Sequence, residues 1–135
     1  MIMMEHIRIS LPGKPEYVSI ARLTASVIAN QMGFNIDDVE DIKVAVGEAC
    51  NNAVLHGRSQ EEIFEVQFEV QDSRMVIEVR DNGTGFDLDE YQAPEPGELK
   101  ENGLGIFIMK TLMDEVDFIP VQNNGTTIRL VKELQ

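Results

Sequence analysis

A chain of 135 residues is the size of one ordinary domain with a single core. Its 43% hydrophobic and 26% charged residues give a globular balance, its apolar runs are too short to span a bilayer, and a net charge of −13 argues against nucleic-acid binding. No basic, apolar leader opens the chain, and a single cysteine, Cys50, excludes an internal disulfide. The expected location is therefore the cytoplasm, with no direct contact to nucleic acid or membrane. The acidity leaves two readings open, simple solubility or a partner with a basic face.

His6 to Leu11 reads as a short strand, stopped by Pro12-Gly13. A helix is expected from about Pro15 to Met32, because Val18, Ala21, Ala25, Ile28 and Met32 recur at three and four spacing. Pro15 suits its first turn and Gly33 the position past its end. Asn35 then caps a second helix with Asp37 and Asp38 in its first turn, a stripe of Val39, Ile42, Val46, Ala49 and Ala53, and an end at Gly57. Phe64, Val66, Phe68 and Val70 alternate with polar residues, and Met75, Ile77 and Val79 mark the inner face of the next strand. The short Asp72-Ser73 link predicts an antiparallel hairpin. Residues 82–102 lack periodicity and are long for a loop in so small a domain. A third helix is expected from Gly103 to Met113, then strands over Glu115–Val121 and Thr126–Lys132 joined by a turn at Asn123-Asn124-Gly125. That order predicts one α+β domain over residues 1–135, a two-layer sandwich with a mixed sheet covered on one face by three helices.

Four segments carry residues suited to chemistry. Glu48 and Asn52, four apart, share one side of the second helix beside its apolar stripe. A carboxylate there can accept a proton and an amide oxygen can ligate Mg²⁺, although spacing alone fits a solvated flank better. Asp81 has the phase of Met75, Ile77 and Val79 and so faces inward, where a carboxylate needs a donor. An adenine amino group is one such donor, and a turn bonding nearby amides is the alternative. Gly83 and Gly85 after it permit close backbone approach to a ligand. Gly103-Leu104-Gly105 opens the third helix, where free N–H groups suit phosphate or simply end a loop. Thr126 shares the phase of Ile128 and Leu130, either to bond something buried or to fill a strand.

In this order the four segments resemble the N, G1, G2 and G3 boxes of the Bergerat-fold ATPases, the histidine-kinase-like superfamily that includes gyrase, Hsp90 and MutL. The N box runs Glu48-Ala49-Cys50-Asn51-Asn52-Ala53-Val54-Leu55-His56-Gly57. Pro15-Glu16-Tyr17-Val18, Ala21-Arg22-Leu23-Thr24, Val44 to Cys50 and Met109 to Val116 are similar to the anti-sigma serine kinases of the RsbW and SpoIIAB type. That resemblance implies an ATP- and Mg²⁺-dependent serine kinase that sequesters a sigma factor and phosphorylates an anti-anti-sigma antagonist of the STAS type, working as a homodimer. It implies Glu48 as general base, Asn52 as Mg²⁺ ligand, Asp81 as adenine ligand supported by Thr126, and Gly83 and Gly85 as shapers of the pocket. Gly103, Leu104 and Gly105 would present amides to the phosphates, residues 83–102 would form the ATP lid, and Arg22 would touch protein partners.

One position departs from some relatives. The arginine they carry two residues before the Gly-x-Gly is Glu101 here, with Lys100 the nearest cation. Two alternatives to the leading expectation follow: a non-catalytic ATP-binding partner-switch module, and a switch kinase acting on another regulatory protein. A sensor histidine kinase and a gyrase or MutL fragment fit poorly, since the helix and transducer domains those proteins need have no counterpart in the chain.

Overall fold

The computed structural model describes residues 4–56, 63–81, 101–121 and 125–135. In chain order these form β1 (Glu5–Pro12), α1 (Val18–Met32), α2 (Ile36–His56), β2 (Ile63–Val70), β3 (Arg74–Asp81), α3 (Glu101–Leu112), β4 (Glu115–Val121) and β5 (Gly125–Glu133). A single 3₁₀ turn, Pro15–Tyr17, leads into α1.

The first two helices meet through local chemistry that the sequence announces. Gly33 takes φ 97°, the left-handed conformation that ends a helix, and its N–H donates to the carbonyls of Ala29 and Asn30. The N–H of Phe34 also returns to Ala29, and its ring is buried, which locks the exit direction. Asn35 Oδ1 then accepts the N–H of Asp38 at 2.8 Å, capping α2 as its position suggested.

The five strands form one sheet in the order β1-β2-β3-β5-β4. The expected two-layer arrangement holds, but every described strand pairing is antiparallel, not mixed. The reason is the number of helices between strands. Two successive helices return the chain to the end it left, so β2 runs against β1. The single helix α3 makes β4 run in the same direction as β3, but β5 inserts between them and pairs with both antiparallel.

Inward residues of the sheet stack in rows, such as Ile9, Val66, Val79, Ile128 and Phe118 across all five strands. Against them pack Ala21, Ala25 and Ile28 of α1, Ile42, Val46 and Ala49 of α2, and Ile106 and Met109 of α3. The central helix α2 touches α1, α3 and three strands, so it buries Ala45 and Cys50 beyond the predicted stripe, while Val39 is only partly covered. Lys132 ties the layers at one end. Its ammonium donates to the carbonyl of Leu112 at 2.5 Å and lies 3.8 and 3.9 Å from the carboxylates of Asp38 and Asp41.

The outer face departs from simple alternation. Val76 and Val131 are buried there although they point away from the helices. They lie side by side in register on β3 and β5, the two strands next to each other in the interior of the sheet, each with a neighbouring strand on both sides.

Candidate functional site

The expected site residues that the structure describes fall on α1, α2, α3 and the adjacent ends of β3 and β5. Asp81 is the last residue of β3 and pairs in register with Thr126, near the start of β5. Both are 6% exposed. They continue the inward rows of Ile77 with Leu130 and Val79 with Ile128 by one more step, so the apolar face ends in a buried carboxylate and hydroxyl.

Asn52 is 8% exposed, and its Nδ2 has no hydrogen-bond partner among the described residues. A buried amide left unpaired costs about 1–3 kcal/mol. A half-turn about χ2 exchanges its nitrogen and oxygen, so the unpaired end is equally a place for a carbonyl oxygen directed at a cation. That orphan group fits a site completed by a metal-bearing nucleotide.

Glu48 is half-buried one turn before Asn52. Its carboxylate lies against α3. A β-carbon placed on Gly105 would sit 2.8 Å from Glu48 Oε2, closer than real side chains come. On its other side Glu48 lines a cavity of about 410 Å³ between the start of α1 and the middle of α2, together with Pro15, Ser19, Arg22, Gly47 and Asn51. Arg22 is exposed, and its stem crosses Gly47, where an added β-carbon would stand 3.1 Å from Cδ. Gly47 was not singled out from the sequence. A glycine inside an apolar-striped helix costs about 1 kcal/mol relative to alanine, and that cost was the available sign of a close approach.

The third helix begins at Glu101, two residues earlier than its glycines suggested. Free N–H donors belong to the first turn, so Gly103 lies among them and Gly105 lies past them. Leu104 is half-buried between the two. Gly83, Gly85, Lys100 and nearly all of the expected lid (83–100) lie outside the described residues, as do Gly57 and, of the expected turn, Asn123 and Asn124, while Gly125 opens β5.

Cys50 sits beside this cluster on α2, and burial pushes its thiol up from 9.0 to about 12, so it stays a neutral packing group. Among the described residues, no helix is long and apolar enough to cross a membrane.

This architecture is that of the histidine kinase-like ATPase domain, whose family model matches residues 11–132. A serine-protein kinase RsbW of Bacillus licheniformis is 44% identical, over 96% of this chain and 86% of the relative. The Bacillus subtilis serine-protein kinase RsbW is 41% identical over the same shares. The chain belongs to this family, in its RsbW serine-protein kinase branch. Among solved structures, the RsbU and RsbW domains of a Mycobacterium tuberculosis protein superpose with a TM-score of 0.70 at 19% identity, covering 96% of this chain and 32% of that one. SiaB in its complex with SiaC from Pseudomonas aeruginosa gives 0.58 at 11% identity, over 95% of this chain and 89% of that one. At such identities these likenesses concern the fold.

Proposed function

We propose that this protein is an anti-sigma factor and ATP-dependent serine kinase that holds a sigma factor in one state and phosphorylates a STAS-type anti-anti-sigma antagonist in another. The observation that carries the reading is the seat of Glu48, a carboxylate between the start of α3 and an open cavity that also presents Arg22. Membership of the RsbW branch and a net charge of −13, suited to partners with basic faces, support it.

In this reading the acceptor serine approaches through the α1–α2 cavity, with Arg22 holding the partner at its rim. Glu48 takes the hydroxyl proton as the serine oxygen bonds phosphorus and ADP departs. Asp81 accepts a hydrogen bond from the adenine amino group, with Thr126 beside it. The N–H groups of the Gly103-Leu104 turn face the phosphates, and Gly83 and Gly85 shape the pocket near the lid. Mg²⁺, held through Asn52, supplies charge neutralisation between the phosphates when bound. The protein acts in the cytoplasm as a homodimer.

The test uses the purified protein with its cognate antagonist and sigma factor, Mg²⁺ and radiolabelled ATP. Label is expected on an antagonist serine, and Glu48→Gln is expected to abolish it while nucleotide still binds. Undiminished transfer in that variant removes Glu48 as the base. Sigma-factor capture with no transfer by the unaltered protein replaces the kinase with a non-catalytic switch module.

A further inference from the structure

Gly105 stands where a helix does not want glycine. It is buried inside α3, past the first turn, where alanine is the better helix former by about 1 kcal/mol. Its φ is not positive, as that of Gly33 is, so backbone conformation does not require glycine there. The missing side chain leaves room for one neighbour. A β-carbon at this position would meet Glu48 Oε2 at 2.8 Å and Cδ at 3.8 Å, with no other atom of the described residues as near. To restore an ordinary contact of 3.4 Å the carboxylate must retreat by about 0.6 Å.

We infer that Gly105 is a positioning residue for the general base: its bare α-carbon is the seat that holds the Glu48 carboxylate at the acceptor cavity. The inference rests on the assignment of Glu48 as the base. The obstructed atom is the free end of a flexible side chain, so an alanine here displaces the base without disturbing the core. Misplacing a reacting group by a fraction of an ångström to 1 Å lowers rates by roughly 10- to 100-fold. Stability and catalysis therefore move in opposite directions at this position. Phosphate binding by backbone amides is untouched, because alanine retains its N–H.

Gly105→Ala in the full chain is expected to leave the melting temperature unchanged or higher and nucleotide affinity within about 3-fold. Its kcat for serine phosphorylation falls by roughly 10- to 100-fold. The decisive comparison adds Glu48→Asp, whose shorter side chain no longer reaches position 105. In that background Gly105→Ala should change the residual rate by less than about 3-fold, the signature of two residues acting through one contact. An equal loss in both backgrounds, or a parallel loss of nucleotide affinity, overturns the inference. A readout independent of transfer is the carboxyl carbon resonance of Glu48 in selectively labelled protein. It should shift between the parent and Gly105→Ala, and an unmoved resonance overturns the inference. A parent protein that transfers no phosphate would count against the kinase reading, while the resonance still tests the seat.

Discussion

Asp81 and Thr126 stand opposite each other on neighbouring antiparallel strands, both buried, at the end of an otherwise apolar sheet face. A carboxylate in that place accepts hydrogen bonds and donates none. It therefore suits a ligand edge that donates, such as the adenine amino group.

Asp81→Asn preserves the shape and replaces one acceptor oxygen with a donor NH₂. Loss of a charge-assisted hydrogen bond of about 1.5–3 kcal/mol predicts a 10- to 100-fold weaker affinity for ATP. Preference for ATP over GTP should narrow at the same time. Thr126→Val, which removes only the supporting hydroxyl, should cost less than about 10-fold. Titration with a fluorescent nucleotide measures both. Unaltered ATP affinity in Asp81→Asn would remove Asp81 from the adenine site.

The unpaired amide of Asn52 makes a prediction in the opposite sense. Its side chain is buried next to Ala53 and lacks a partner at Nδ2 among the described residues. Replacing an unsatisfied polar group by an apolar one of similar size releases its desolvation cost. Asn52→Leu should therefore leave the nucleotide-free protein as stable or up to about 1–2 kcal/mol more stable. The same change should abolish the extra thermal stabilisation that Mg²⁺ adds to ATP. Calorimetric melting with ATP, with and without Mg²⁺, tests both halves. An Asn52→Leu protein that keeps its Mg²⁺ response would place the metal elsewhere.

These residues also mark what the sequence carries by itself. Strand phase has period two, so the inward direction of Asp81 and Thr126 followed from Ile77, Val79, Ile128 and Leu130. The cap by Asn35 and the left-handed Gly33 are local events within one or two turns of chain, and local chemistry suffices to read them. The antiparallel sheet needed the position of β5 between β3 and β4, which is a property of packing. The contacts of Gly105 with Glu48 and of Gly47 with Arg22 each join residues of two different helices. No periodicity encodes them, and only the helical cost of each glycine hints that something lies close. The burial of Val76 and Val131 on the outer face escaped alternation for a similar reason, since both lie on interior strands whose neighbours are set by the sheet order.

Cys50 gives a prediction about pH and access. Desolvation raises its thiol from 9.0 to about 12, because the buried site disfavours the thiolate. The unfolded chain releases this proton near pH 9, while the folded chain keeps it. Above pH 9 the unfolded state therefore binds fewer protons, and stability falls as pH rises towards about 12. Below pH 8 the group contributes no slope. The stability of the parent relative to Cys50→Ala should thus decline between pH 9 and about 12 and stay level from pH 6 to 8. The same burial makes the thiol unreactive, since thiolate is the attacking species. Under native conditions at pH 8, alkylation should proceed at least about 100-fold more slowly than for a free cysteine peptide, limited by opening of α2. ATP with Mg²⁺ should slow it further, because ligand binding on the same helix stabilises the closed state. Rapid alkylation of the folded protein would show that α2 opens beside Glu48 and Asn52 far more readily than its packing implies.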